Sequence, residues 1–295
     1  MESRAASNRL GPVFWVSITW LTLLVIGAVT IDLWAIQDPD KMDWDNLNAS
    51  PGAVTEIAVD KPSGETSQSP YTYWLGTDSM GRDILSRSIY GARISLSIGL
   101  IAPLIGIFTG GFLGCLAGFY RGYLDSLIVA GMDIILAFPG LLLLLAVSFY
   151  VGASLQNLIL SLGFLSIPAF CRVARARTLA LSNLEFVQAA KLTGAGDLAI
   201  LMREIIPNVV IPVTVYGLLV VAFMIMAEGS LSFLGLGVSA PTPSWGRMIA
   251  EGRDVLDESP YVSMIPAAIM ILTVISFNFI GDSLRNYFDH GRRQI

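Results

Sequence analysis

Apolar runs long enough to cross a bilayer alternate with polar segments along this chain. The runs cover residues 13–36, 94–120, 134–171, 209–236 and 260–281. As one helix, the run 134–171 would be about 57 Å long at about 1.5 Å per residue, whereas a hydrocarbon core is about 30 Å thick. It must therefore fold back, and residues 150–154 are the natural turn. The pattern predicts six membrane-spanning helices and an all-α polytopic membrane fold.

The polar segments divide the chain into a short N-terminus, an outer loop and a membrane core. A signal peptide would have an apolar region of about 7–15 residues, so we expect the first run to remain as a helix, with Asp32 at its outer end. The expected segments are a cytoplasmic N-terminus (1–12), a first span (13–36), an extracytoplasmic loop or loosely ordered lobe (37–93), a core of five spans (94–285) with a cytoplasmic loop (178–208), and a cytoplasmic tail (286–295).

The second apolar run carries a stripe of glycines. Gly106, Gly110 and Gly114 recur every four residues, which places them on one face of a helix. Small residues at this spacing allow a neighbouring membrane helix to approach closely. We therefore expect close helix packing along this face.

Composition places the chain in a bilayer and excludes several kinds of site. Hydrophobic residues make up 54% and charged residues 14% of the chain, whereas about 25% charged residues are usual in soluble domains. Both cysteines, Cys115 and Cys171, lie in apolar runs, so we expect neither a disulfide nor a metal site. With a single histidine, His290, the sequence offers no set of residues for a zinc site or a Ser-His-Asp triad.

The distribution of arginine and lysine predicts the orientation in the membrane. Six spans place both termini on one side, and that side carries 11 basic residues against 7 in the loops 37–93 and 237–259. Because basic loops stay in the cytoplasm, the termini are expected there. Of the 23 carboxylates, 13 lie in the two outer loops, so the acidic net charge describes the exterior and gives no sign of a nucleic-acid partner.

The segment 182–208 is a charged, helix-forming stretch between two apolar runs. Ser182 and Glu185 have the spacing of a capping box, which predicts a helix from Asn183. Gly194 can close that helix in a left-handed conformation, and Asp197 can cap a second short helix that Pro207 ends. The sequence thus predicts a helix, a glycine turn and a second helix, which we call the elbow (residues 182–208).

The elbow resembles the cytoplasmic EAA loop of permease subunits in ATP-binding-cassette (ABC) importers. The resemblance rests on Gln188-Ala189-Ala190, Gly194 and the Ile-Ile-Pro ending at Pro207. Gln188 stands where the family usually has Glu, and Glu204 where its peptide-importer branch usually has His. The resemblance implies that the elbow contacts an ATPase through the following residues: Glu185, Gln188, Ala189, Ala190, Gly194, Asp197 and Pro207.

A second motif precedes the second apolar run and resembles the signature of the dipeptide, oligopeptide and nickel permease family. Its members are Gly76, Thr77, Asp78, Gly81, Arg82 and Asp83. The alternating Asp and Arg residues could pair with one another or pin a loop over the outer mouth. Segments 133–139, 231–237, 243–246 and 281–285 resemble the same family in order and spacing, so the likeness extends from about residue 75 to 285. Residues 37–73 match no family motif.

These resemblances imply a type I ABC importer permease fold and a transport function without catalysis. The chain would form half of a channel for di- or oligopeptides or a similar small solute. The implied partners are a homologous second permease, one or two ATPase subunits, an external substrate-binding protein and membrane lipid. The chain has no Gly-Lys dipeptide and so no GxxxxGK[ST] phosphate loop; ATP with Mg²⁺ is expected only on the ATPase, with no cofactor on this chain.

Two acids in or near the membrane support a rival interpretation. Intramembrane charges are costly, at roughly 2.5–3.5 kcal/mol, and are usually paired, neutral or water-facing. Asp133 is expected to have a structural partner, such as Arg172, or a gating role; Glu228 either packs in protonated form or lines the pathway. A secondary carrier or channel could use both acids. The GxGD pattern at Asp197 fits an intramembrane aspartyl protease, although its segment is charged and not a membrane helix.

Overall fold

The structure is a computed structural model that describes residues 10–34, 36–60, 66–152 and 154–291. The predicted N-terminus (1–12) and tail (286–295) therefore lie partly outside the described residues. The helices are α1 (Pro12–Thr30), α2 (Ile84–Ile105), α3 (Gly111–Tyr120), α4 (Gly122–Leu136), α5 (Gly140–Val151), α6 (Leu155–Leu181), α7 (Glu185–Leu192), α8 (Asp197–Ile200), α9 (Ile206–Phe233), α10 (Trp245–Glu251) and α11 (Tyr261–Gly291), and the strands are β1 (Ala53–Asp60) and β2 (Thr66–Tyr73).

The described helices fit the predicted number of spans. Five are long and apolar enough to cross a membrane, and a bent pair, α4 with α5, makes up to six. Two spans are longer than their α-helices because π-helical turns join α2 to α3 and α8 to α9, giving continuous helices over Ile84–Tyr120 and Asp197–Phe233. The predicted turn at residues 150–154 separates α5 from α6.

Helix boundaries differ from the apolar runs in three places. The second span begins at Ile84, ten residues before the second run, and α6 continues to Leu181 through the charged residues that follow the third run, 134–171. The third span begins at Gly122 and bends by 72° at a break before Gly140. Pro139 lies in that break, and proline lacks the N–H that a continuous helix needs. The apolar runs indicate which residues suit the hydrocarbon core, whereas the helices extend past the ends of those runs.

The chain divides into two compact units. The first unit comprises the chain up to Trp20, Ser97–Ile225 and the chain from Val274, and it contains the elbow. The second unit comprises Leu21–Leu96 and Met226–Thr273. It contains the lobe (residues 37–73) and the motif at residues 76–83, which we call the signature.

The glycine stripe packs against α6 in the first unit, which confirms the expected close approach. A Cβ added at Gly110 would collide with the Ile167 carbonyl, and one at Gly114 would lie 2.8 Å from Ala174 Cβ. The two cysteines, Cys115 on α3 and Cys171 on α6, are buried and unbridged.

The lobe of the second unit (residues 37–73) contains a β-hairpin that the sequence pattern did not indicate. Strands β1 and β2 are antiparallel, with Ala53 opposite Tyr73 and Asp60 opposite Thr66. The prediction of a loop or loosely ordered segment at 37–73 was therefore incomplete. The Pro, Gly and Ser content concealed a run of β-branched and aromatic residues, which favour strands when a partner strand is available.

Candidate functional site

The glycine turn of the elbow has the predicted left-handed geometry. Gly194 has a φ of +83° and follows α7. The Gly194 N–H donates to the Lys191 carbonyl at 3.0 Å, and the Ala195 N–H donates to the Ala190 carbonyl at 3.1 Å. This pair of bonds is a Schellman motif, which satisfies carbonyl groups that the end of a helix leaves unpaired. The turn is thus held by the backbone itself.

The capping box predicted at the start of the elbow is wrong. Ser182 ends α6 instead, and its hydroxyl donates to the Thr178 carbonyl at 2.7 Å. The following helix, α7, begins at Glu185, and Leu184 is its N-cap without a side-chain bond. The preceding helix satisfies the serine hydroxyl, so it is not free to cap the next one. Glu185 lies in the first turn of α7, where a negative charge is favoured by the helix dipole.

The second half of the elbow is also longer than predicted. Asp197 is the first residue of α8 rather than its cap, because Gly196 takes the N-cap position. Pro207 does not end the helix; a π-helical turn, Leu201–Ile205, leads directly into α9. The N–H that proline lacks would have bonded the carbonyl of Arg203, which lies in that wider turn. The elbow therefore continues without a break into a membrane helix.

The elbow has one anchored face and one open face. Val187 and Ile200 are buried in the first unit. Gln188 and Ala189 are exposed, and so are two leucines on either side of the turn, Leu192 at 89% and Leu198 at 66%. Exposed apolar side chains next to exposed polar ones are typical of a surface that another protein covers.

Asp133 has the partner that the sequence suggested. Its Oδ1 accepts a hydrogen bond from Arg172 Nη2 at 2.8 Å, and both side chains are more than half exposed. The pair joins α4 to α6. A gating role for Asp133 stays a prediction.

The two glycines of the signature permit turns that no other residue could make without strain. Gly76 has a φ of +82° and Gly81 a φ of +73°. A Cβ at Gly76 would lie 2.5 Å from the Ala49 carbonyl oxygen, and one at Gly81 would overlap the backbone of Asp43. Both positions therefore require glycine for conformation and for space.

The polar signature residues brace the lobe against the start of α2. The Thr77 hydroxyl donates to the Asn46 carbonyl at 2.5 Å and accepts from the Ala49 N–H at 2.7 Å. Asp83 caps α2 by accepting from the Leu85 N–H at 2.9 Å, and it also accepts from the Tyr71 hydroxyl at 2.6 Å. Burial raises the pKa of Asp83, and burial together with the Asp83 carboxyl raises the pKa of Tyr71.

Two charged signature residues, Asp78 and Arg82, join a largely buried network that we call the ion cluster. Its members are Asp78, Arg82, Arg87, Arg247 and Glu251. Arg82 Nε lies 2.7 Å from Asp78 Oδ2, and Arg82 Nη2 lies 2.7 Å from Glu251 Oε2. Glu251 also binds Arg87 at 3.2 Å and Arg247 at 2.7 Å. Arg82 and Arg87 are buried, so the expected pairing of Asp and Arg is confirmed.

Glu251 is the central acid of the ion cluster, and the sequence analysis did not single it out. Burial opposes its ionisation, but the positive charges of Arg82, Arg87 and Arg247 outweigh this effect and lower its pKa. Glu251 is 169 residues from Arg82 in the chain. The available signal was its position shortly after segment 243–246, which resembles the family.

Glu228 is buried among hydroxyl groups. Its Oε1 accepts from the hydroxyls of Ser232 at 2.6 Å and Ser244 at 2.7 Å, and its Oε2 accepts from Ser95 at 3.3 Å. Ser244 also caps α10 by accepting from the Arg247 N–H at 3.2 Å. Glu228 thus links α2, α9 and the start of α10. This geometry suits a packing role for Glu228 better than a pathway-lining role.

Comparison with known proteins identifies the family. Residues 110–294 match the model of the "Binding-protein-dependent transport system inner membrane component" family. The glutathione transport system permease protein GsiD of Pectobacterium atrosepticum is 37% identical over 90% of this chain and 84% of its own length. The protein of the same name from Escherichia coli is 39% identical over 92% of this chain and 84% of its own length.

Solved structures agree with the fold. Two crystal forms of the MetNI methionine ABC transporter, described as inward facing, match with TM-scores of 0.56 and 0.57 at 17% and 18% identity. The matches cover 68% and 69% of this chain and 96% and 97% of those chains. The chain therefore belongs to the family of inner-membrane components of binding-protein-dependent transport systems, as the non-catalytic permease subunit of an ABC importer that works with a separate ATPase and a substrate-binding protein.

Proposed function

We propose that this permease pairs with a homologous second permease to form the translocation pathway, and that its elbow is the surface on which an ATPase subunit docks. The observation that carries the proposal is the open face of the elbow. Leu192 and Leu198 are exposed beside a backbone-locked glycine turn, although burying apolar surface would stabilise the chain. A partner that covers this face would bury both leucines.

The continuity of the elbow with α9 supports a mechanical role. Residues from Asp197 to Phe233 form one helix that leads from the elbow into a membrane span. Buried Ile200 and Leu201 fix its first turns in the first unit, so a displacement of the elbow would move this helix. In this proposal the ATPase binds ATP with Mg²⁺, and this chain binds no cofactor.

We infer that the cargo is a short peptide or a similar small solute. The support is the resemblance of the signature at 76–83 to peptide and nickel permeases, together with the glutathione permeases among the relatives. Asp133 and Glu228 act in this proposal as structural acids, because each has a defined set of protein partners.

A matched pair of glycine variants tests the docking proposal. Gly194 has a φ of +83°, whereas Gly196 has a φ of −70°, and neither has an atom within 4 Å of an added Cβ. Gly194→Val should cost about 1–2 kcal/mol of backbone strain and disturb the turn. Gly196→Val keeps an allowed conformation and serves as the control.

The measurements are the amount of permease in the membrane, co-purification of the ATPase subunit, and ATP-dependent uptake in vesicles. We expect Gly194→Val to reach the membrane at a near-normal level but to recover less ATPase and to lose uptake, while Gly196→Val keeps more of both. Normal ATPase recovery and uptake for Gly194→Val would show that the elbow is an ordinary surface loop.

A further inference from the structure

A cavity of about 250 Å³ lies in the second unit beside the ion cluster. Phe233, at the end of α9, and Val238 form part of its wall, and Arg247, Glu251 and Arg253 supply its charges. All of these residues belong to the same compact unit. The family assignment and the elbow do not account for this cavity.

The two arginines of the cavity have different environments. Arg247 uses Nε to bind Glu251 at 2.7 Å and Nη1 to bind the Val238 carbonyl at 3.1 Å, and its Nη2 has no hydrogen bond within the part of the chain that the structure describes. Arg253 lies over the Phe233 ring at 5.5 Å and is paired only loosely, at 3.2 Å, with its chain neighbour Asp254. Arg253 is 59% exposed, so its guanidinium can reach a molecule in the cavity.

The charge balance next to the cavity favours an anion. The lining itself carries two guanidinium groups, those of Arg247 and Arg253, and one carboxylate, that of Glu251. Asp254, the acid paired with Arg253, is 80% exposed, so water screens its charge. Buried Glu228 lies behind the wall, where it accepts a hydrogen bond from the lining residue Ser232. The lining therefore has one more guanidinium than carboxylate.

We propose that this cavity binds the carboxylate of a small peptide, with Arg253 and the free nitrogen of Arg247 as the donors and the Phe233 ring against the adjoining side chain. Arginine binds carboxylates through paired N–H groups, which gives both strength and direction. The cavity is slightly smaller than the range of about 300–1,000 Å³ typical of ligand pockets, so it suits one terminal residue rather than a whole peptide. The inference rests on the proposed peptide cargo.

The experiment compares two probes on the complete transporter in proteoliposomes with its binding protein. The probes are the dipeptide alanyl-phenylalanine and its C-terminal amide, which differ only in the carboxylate. We expect Arg253→Gln to raise the KM for the free acid about tenfold while changing the KM for the amide much less. Arg253→Lys, which keeps the charge but not the paired donors, should give an intermediate value.

Asp254→Asn is the matched control because it removes a charge of opposite sign from the neighbouring residue. It should leave the KM for the free acid unchanged or lower it. If Arg253→Gln shifts acid and amide equally, or shifts neither, the carboxylate site is overturned while peptide import stands.

A direct binding measurement tests the carboxylate site independently of the proposed peptide cargo. Saturation-transfer NMR on the nanodisc-embedded transporter without ATP reports contact of each probe with the protein. Contact of the free acid that is lost in Arg253→Gln, without any uptake, would overturn peptide import and retain the site. Neither contact nor uptake of the free acid by the wild-type transporter would overturn the site as well.

Discussion

The elbow and the signature, whose Asp78 and Arg82 belong to the ion cluster, are both short polar motifs with glycines next to apolar runs, yet the structure uses them in opposite ways. In the ion cluster the charged side chains pair with one another, and Arg82 and Arg87 are buried. In the elbow the motif residues Gln188 and Ala189 are exposed, and Leu192 beside them is left uncovered. A family motif alone therefore does not distinguish a bracing role from a docking role.

Free energy explains why the two regions respond differently to substitution. A buried charge that loses its partner is strongly unfavourable, so the ion cluster depends on every member. An exposed side chain that contacts little in the chain itself contributes little to stability. Substitutions in the cluster should therefore impair folding, and substitutions on the open face of the elbow should impair only an interaction.

The largest expected effect is that of Glu251→Ala. This change leaves Arg82, Arg87 and Arg247 without their shared carboxylate, and the expected loss is about 3–5 kcal/mol. Denaturant-dependent protease resistance of the purified permease measures the loss. Glu258→Ala, at an exposed acid on the same segment, is the control and should change stability by about 0.5 kcal/mol or less. Equal effects of the two variants would contradict the importance of the cluster.

A smaller effect is expected from alanine at the signature glycine Gly81, and Gly52, which lies outside the signature, is the control. Gly81 and Gly52 both have positive φ, so alanine at either costs about 1–2 kcal/mol in strain. Only at Gly81 does the new Cβ also overlap the backbone of Asp43, whereas Gly52 has open space. Overpacking typically adds about 1–3 kcal/mol. Gly81→Ala should therefore be the less stable variant in the same protease assay, and a reversed order would argue against this packing.

Low pH should reduce the contribution of the ion cluster to the stability of the permease. The arginines hold the folded-state pKa of Glu251 below its ordinary value of 4.5. Its contribution to stability is therefore fully present above about pH 4.5 and is lost as the pH falls through the lower, folded-state pKa. Glu251→Gln removes this titration, so its stability should depend less steeply on pH below 4.5 than that of the wild type. Parallel pH profiles would exclude a titrating role for this acid.

The smallest effect on stability is expected on the open face of the elbow. Leu192 is 89% exposed, so Leu192→Asp should change protease resistance by about 0.5 kcal/mol or less. Co-purification of the ATPase should nevertheless fall, because a charge would enter the proposed contact. Tyr123→Asp, at a residue outside the elbow that is 84% exposed, should keep ATPase recovery. A loss of stability in Leu192→Asp would remove the contrast between the two regions.

The sequence alone predicted the features that depend on local pattern. Apolar runs gave the number of spans, because a run must match the thickness of the hydrocarbon core. The left-handed turn at Gly194 followed from its place at the end of a helical pattern, and the stripe at Gly106, Gly110 and Gly114 from its spacing. The pairing of Asp133 with Arg172 was also foreseen.

Only the folded structure decided which partner each polar group takes. Ser182 could cap a helix by its spacing, but the carbonyl of Thr178 takes its hydroxyl. Glu251 became the centre of the ion cluster because folding brings it to Arg82, although 169 residues of chain separate them. Helical and strand periodicity report which face of a segment is apolar, and they hold no information on which remote polar group will meet a given charge. A charge that is buried away from water is strongly unfavourable without a partner, so each buried charge must be paired within the fold.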